Sequence, residues 1–256
     1  MLTAVYFSGT GNTRFCAERF AQKLGGNAFP IEDKTASAAL SKSDEAVLAY
    51  PVYYSSLPKI VRDFITNNAA LWHGKRVFII ATMGAFSGDG AGCAARILKK
   101  FGAEVSGGLH VKMPDCIGDV KLLKKPPEKN KEIVEAAARK IDSAANDCRN
   151  GKPPREGLGA FAHIAGLFGQ RLWFCGKTKD YTQNPKIDRE KCVGCGKCEQ
   201  LCPMNNIHVE NGKAVAGGKC TMCYRCFSEC PERAITLIGK QVIEQYKFNG
   251  GKSYDR

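Results

Sequence analysis

The sequence lacks an uninterrupted apolar run of eighteen residues, so no membrane-spanning helix is expected. Its opening segment, Met1-Leu2-Thr3-Ala4-Val5-Tyr6-Phe7, lacks a basic n-region and a small-residue cleavage site. It therefore reads as a first β-strand rather than a signal peptide, and a cytoplasmic location is expected. The glycine-rich stretch that follows has no Gly-Lys-Ser/Thr, which excludes a Walker loop, and its spacing does not fit Gly-x-Gly-x-x-Gly. With no nicotinamide motif, direct reduction by NAD(P)H is not expected. Histidines are few, four in all. His73 and His163 have no partner at ligand spacing, and His110, in a predicted strand, has no role assigned. No acid–base pair presents itself, so catalytic residues stay unknown.

What is present is positive charge and cysteine. The formal charge is +13, and the chain holds 13 cysteines among 256 residues. The lysines are dispersed and no nucleic-acid motif accompanies them, so no nucleic-acid partner is expected. A redox partner protein with an acidic face fits the surplus, and a merely solvated surface explains it as well. Without a secretion signal the cysteines are not read as disulfides. Cys16, Cys93, Cys116, Cys148 and Cys175 are scattered and read as small core or surface residues.

Residues 1–150 alternate short apolar runs with helical patterns. Strands are predicted at Leu2–Phe7, Asn27–Ile31, Ala46–Tyr50, Val77–Ala81 and Glu104–Val111. Helices are predicted at Thr13–Leu24, Lys59–Asn67, Ala91–Phe101 and Lys129–Arg149. Five strands alternating with helices imply an α/β fold with a doubly wound five-stranded parallel sheet, whose ligand site lies outside the carboxyl ends of the strands at the switch point. Asp89, opening the third of these helices, reads as an N-cap. Lys152-Pro153-Pro154-Arg155 ends the last helix. Residues 151–183 form a linker with an amphipathic segment over Leu158–Phe174. Residues 184–240 are a small cysteine-rich module, and 241–256 a C-terminal tail whose last residues, from Asn249, read as mobile.

The module repeats itself. A shift of 28 positions carries Lys191 onto Lys219, Cys192 onto Cys220, Pro203 onto Pro231 and Ile207 onto Ile235. The two motifs are Cys192-x2-Cys195-x2-Cys198-x3-Cys202-Pro203 and Cys220-x2-Cys223-x2-Cys226-x3-Cys230-Pro231. Three cysteines at three-residue spacing wrap three corners of a [4Fe–4S] cubane, and the fourth, followed by proline, serves the other cluster. Cys192, Cys195, Cys198 and Cys230 are thus assigned to cluster 1. Cys220, Cys223, Cys226 and Cys202 are assigned to cluster 2. A pair of four-cysteine zinc sites would leave the third cysteine of each triplet idle. Gly194 and Gly196 keep the first loop open to backbone N–H groups, and Ile207 and Ile235 are expected to keep water from the clusters. Over residues 184–240 the chain resembles the bacterial two-[4Fe–4S] ferredoxins, a small α+β domain.

After the first strand comes Ser8-Gly9-Thr10-Gly11-Asn12-Thr13, leading into a helix. Backbone N–H groups and the hydroxyls of Ser8, Thr10 and Thr13 at a helix N-terminus suit a phosphate monoester held by neutral donors. This loop is the pattern of flavodoxins, which residues 1–150 resemble in length and in element order. The resemblance implies FMN, bound by Ser8, Thr10, Gly11, Asn12 and Thr13. It also implies that two loops enclose the isoalloxazine ring: Pro51, Val52, Tyr53, Tyr54 and Ser55 after the third strand, and Thr82, Met83, Gly84 and Phe86 after the fourth. Tyr53, Tyr54 and Phe86 are the candidates for stacking on the ring.

The two halves together resemble the fused flavodoxin–ferredoxin proteins of anaerobic bacteria and archaea. The resemblance implies an electron-transfer iron–sulfur flavoprotein that passes electrons between the clusters and FMN, linking a one-electron donor to a flavin-mediated acceptor. The alternative is an FMN-dependent reductase of a small organic substrate, fed by the clusters. Flavodoxins and ferredoxins are usually acidic, so their usual partners do not carry over to this basic chain.

Overall fold

The computed structural model describes residues 2–53, 56–85, 88–159, 185–249 and 252–253. The predicted amphipathic segment lies almost entirely outside these residues, as do Tyr54, Ser55, Phe86, His163 and Cys175. Two compact units are present, and they do not follow chain order. The first comprises Met1–Ser8, Asn12–Pro114 and Asn130–Trp173; the second comprises Gly9–Gly11, Asp115–Lys129 and Phe174–Arg256.

The first unit is built on a five-stranded sheet. Its strands are β1 (Leu2–Tyr6), β2 (Asn27–Pro30), β3 (Glu45–Pro51), β4 (Arg76–Met83) and β5 (Glu104–Lys112), in the order β2-β1-β3-β4-β5, all parallel. Near-continuous runs such as Val77–Ala81 suit strands buried on both faces. Alternation then divides each strand between two helix layers. Ala4 and Tyr6, Val47 and Ala49, Phe78 and Ile80, and Leu109 and Val111 share one core with α1 (Asn12–Lys23) and α6 (Pro127–Arg149). Phe20 of α1 lies flat on Phe78, ring centroids 4.8 Å apart. On the opposite face lie α2 (Lys34–Ser41) and α5 (Gly90–Lys100), with α3 (Lys59–Asn67) against α5. A one-turn helix, α4 (Ala69–Trp72), ends in the fully buried Trp72, whose indole N–H donates to Ile65 O.

Two short helices, α2 and α4, were not anticipated. The α2 stretch Lys34-Thr35-Ala36-Ser37-Ala38-Ala39 carries almost no large apolar side chain, so no 3.6-residue stripe marks it. Its start is fixed by Asp33, whose carboxylate accepts from Thr35 N–H at 2.8 Å.

The second unit folds around the repeat. A two-stranded antiparallel pair joins β6 (Lys186–Ile187) to β9 (Ile235–Thr236), and a hairpin pairs β7 (Ile207–Glu210) with β8 (Lys213–Ala216). One-turn helices Lys197–Leu201 and Arg225–Glu229 carry the ends of the two cysteine motifs. Residues 241–248, read from sequence as the start of a tail, are packed. Gln245 Nε2 donates to Phe227 O and Cys230 O, and Tyr246 and Phe248 are buried. Among the described residues no helix is long and apolar enough to cross a membrane.

Candidate functional site

The β2-β1-β3 order puts the topological switch point between β1 and β3, and ligands of doubly wound sheets bind beyond the strand ends there. The loop Ser8–Gly11 leaves β1 at that point and enters α1 at Asn12. No acidic side chain occupies the first turn of α1, which leaves its positive end to an anion. Thr10, Asn12 and Thr13 are buried, and Ser8 and Gly11 half-buried. Thr13 Oγ1 lies 2.7 Å from Thr82 Oγ1, tying α1 to the end of β4. Asn12 Nδ2 donates to Pro114 O at 2.8 Å. The side chains of Asn12 and Thr13 thus tie the start of α1 to the segment after β5 and to β4, a role their position in the motif does not disclose. The donor set fits a phosphate monoester: hydroxyls, peptide N–H groups and a helix N-terminus, with no cation in the motif.

Two further loops meet the same sheet edge. Val52 N–H donates to Thr82 O at 2.8 Å, fastening the segment after β3 to β4. Tyr53 and Ser56 exchange backbone N–H···O bonds, each 2.9 Å, and Tyr53 is half-buried. Pro51, Met83 and Gly84 are half-buried at the same edge.

Asp89 does take the N-cap position of α5, but its side chain makes no capping bond. It is fully buried and accepts from Arg96 Nη1 at 2.6 Å, while the Cys93 thiol donates to its other oxygen at 3.7 Å. His110 fills the capping role instead: Nε2 accepts from Ala91 N–H at 3.2 Å in the first turn of α5. Burial holds this imidazole below the ordinary histidine value, with Glu156 pulling the other way and Lys140 reinforcing the shift.

In the second unit the eight motif cysteines ring two cavities. Cys192, Cys195, Cys198 and Cys230 line one, with Ile235 at its wall. Cys202, Cys220, Cys223 and Cys226 line another, walled by Ile207. Each ring therefore takes three cysteines from one motif and the proline-preceding cysteine of the other. Both isoleucines are buried. Backbone N–H groups aim at the sulfurs: Ala214 N–H at Cys192 Sγ (3.4 Å), Asn206 N–H at Cys202 Sγ (3.3 Å), Met222 N–H at Cys220 Sγ (3.2 Å) and Ala234 N–H at Cys230 Sγ (3.4 Å). The bonds to Cys202 and Cys230 are related by the 28-residue repeat. Such N–H···S bonds tune an iron–sulfur centre, and the donor set fits one. Among the described residues no three His, Cys, Asp or Glu side chains close to the spacing of a single metal ion. Burial pushes the Cys220 thiol up to about 12 and Cys226 well above its usual value. Cys195 alone of the eight is exposed, beside the exposed Val193. Of the scattered cysteines, Cys16 is fully buried, and burial pushes Cys116 to about 12 and Cys148 to about 11, far from reactive thiolates.

Sequence reasoning missed what residues 115–129 do. They follow β5 in the chain yet belong to the second unit. Gly118 O accepts from Ile243 and Glu244 N–H at 2.9 and 3.0 Å, and the buried Asp119 takes three donors. The same unit includes Gly9–Gly11, where Phe248 N–H donates to Thr10 O at 2.7 Å. No local pattern marks these residues, because their partners lie some 100 to 240 positions away.

Comparison with known proteins gives two domain matches. The flavodoxin domain model matches residues 4–109, and the 4Fe-4S dicluster domain model matches residues 184–231. An uncharacterised ferredoxin of Methanocaldococcus jannaschii is 41% identical over 72 residues, 26% of this chain and 90% of the relative. A second uncharacterised ferredoxin of that organism is 30% identical over 70 residues, 25% of this chain; the chain spans only 44% of that relative's length. The two-electron reduced flavodoxin of Megasphaera elsdenii aligns at 27% identity and a TM-score of 0.39, over 54% of this chain and 99% of that one.

Proposed function

We propose, because the chain belongs to the family of fused flavodoxin–ferredoxin proteins, that it relays electrons within one polypeptide between two [4Fe–4S] clusters and a bound FMN. The family makes it an electron-transfer iron–sulfur flavoprotein; the number of clusters, their ligands and the route are our reading. When bound, the clusters supply one-electron steps at low potential and the flavin one- or two-electron chemistry, so a chain holding both couples a one-electron donor to a flavin-mediated acceptor.

The observation that carries the reading is the pair of four-cysteine rings, each completed by the last cysteine of the other motif. Sulfurs spread around a cavity suit a polynuclear cluster better than one ion. Cys192, Cys195, Cys198 and Cys230 hold cluster 1, and Cys220, Cys223, Cys226 and Cys202 hold cluster 2. Ser8, Thr10, Gly11, Asn12 and Thr13 hold the FMN phosphate at the N-terminus of α1. Pro51, Val52, Tyr53, Tyr54, Ser55, Thr82, Met83, Gly84 and Phe86 border the ring. Its partner is a redox protein whose acidic face suits this basic chain.

Anaerobic purification with quantification of iron, sulfide and FMN tests the reading. Two clusters and one FMN per chain are expected, with dithionite reducing the clusters by EPR and the flavin by absorbance. Protein with its full iron but no FMN sinks the relay, and so does flavin that stays oxidised beside reduced clusters.

A further inference from the structure

The two half-sites of the repeat differ where the chain bends most. In the first loop Gly194 and Gly196 sit at φ of 68° and 74°, the left-handed region that glycine enters freely. A shift of 28 positions puts Met222 and Tyr224 in their places, and these side-chain-bearing residues hold φ of 56° and 60°. A non-glycine residue keeps such a conformation only where its surroundings over-determine it.

For Tyr224 the surroundings include a residue from outside the repeat. Its hydroxyl donates to Asp119 Oδ1 at 2.9 Å, and its ring meets Phe227 edge-on with centroids 5.2 Å apart. Asp119 Oδ2 accepts from Leu237 N–H at 2.7 Å and from Ile238 N–H at 2.9 Å. Tyr224 stands between Cys223 and Cys226, and Tyr224 and Leu237 both line the cavity ringed by Cys202, Cys220, Cys223 and Cys226. The carboxylate, 4% exposed, therefore joins two walls of that cavity.

We propose that Asp119 is the positioning residue of cluster 2: it pins the strained Cys223–Cys226 loop through Tyr224 and fixes the opposite wall at Leu237. This rests on the assignment of that ring to a [4Fe–4S] cluster made above. The first loop has glycine at the matching position and needs no such anchor, so the effect is confined to one cluster. A buried carboxylate also opposes the negative charge added when a nearby cluster is reduced.

The test is potentiometric EPR and iron analysis of the anaerobic full-length holoprotein carrying Asp119→Asn or Tyr224→Phe. Asp119→Asn is expected to move one of two midpoint potentials upward and leave the other unchanged. Tyr224→Phe, which removes one bond and no charge, is expected to speed iron loss to a chelator from half of the iron only. The single-cluster variants Cys230→Ala and Cys202→Ala identify the cluster affected: the Asn substitution shifts the potential in the first background, which keeps cluster 2, and not in the second. Selective loss of half the iron from Asp119→Asn itself also supports the proposal. Equal shifts in both clusters, loss of both, or no change in either overturns it. Wild-type protein with fewer than two clusters overturns the cluster assignment instead, before Asp119 is at issue.

Discussion

Cys202 and Cys230 each close the ring opposite their own motif, and this exchange makes the ligand assignment testable one sulfur at a time. Cys202→Ala is expected to roughly halve the iron by removing cluster 2, and Cys230→Ala to do the same through cluster 1. EPR of the reduced variants checks this: each keeps one unperturbed signal and loses the spin coupling between two clusters. Loss of cluster 1 from Cys202→Ala would contradict the crossed arrangement. His110 offers a second test at this scale. Its imidazole is held below the ordinary histidine value by burial, so the folded protein favours the neutral form more than the unfolded chain does. Stability from this residue is complete above about pH 6.5, the unfolded value, and is lost as pH falls through the folded one. Replacing His110 by alanine is expected to cost about 1 kcal/mol at pH 7, the usual worth of a helix cap. His110→Gln, which keeps an acceptor, should flatten the decline between pH 7 and 5 in urea unfolding of the anaerobic protein.

Among the elements, the parallel strands and the cysteine loops are held by different means. The strands β1, β3 and β4 are buried along nearly their whole length, and α1 and α6 seal one face with Phe20, Ala137 and Ile141. The loops of the second unit have little of this. Their apolar cluster is assembled from Ile207, Phe227, Ile235 and Leu237 around motif cysteines, with Cys198, Cys220 and Cys230 packed against it. On the proposed assignment these cysteines hold iron, and a core built around them then depends on the metal.

For the whole molecule this predicts unequal fates on losing iron. Chelation under anaerobic reducing conditions is expected to open residues 185–249 to proteolysis while a resistant fragment retains β1 to β5. Mass spectrometry of a limited digest checks it, and a protected 185–249 in iron-free protein would contradict it. The core shared by the sheet with α1 and α6 contains none of the eight motif cysteines.

By itself the sequence determined the period-2 and period-3.6 patterns behind β1 to β5, α1, α3, α5 and α6, since each rests on neighbours within a dozen residues. It likewise determined the eight-cysteine pattern and the glycine–hydroxyl loop after β1, whose chemistry is written in residue type and spacing. Tertiary structure alone decided that Asp89 pairs with Arg96 while His110 caps α5, because histidine and helix are about twenty positions apart. It alone brought Asp119 to Tyr224 across 105 residues. Contacts at that separation are set by how strands and loops stack, and no local propensity encodes them. The cysteines named the cofactor, and the fold supplied the carboxylate that holds one of its loops in place.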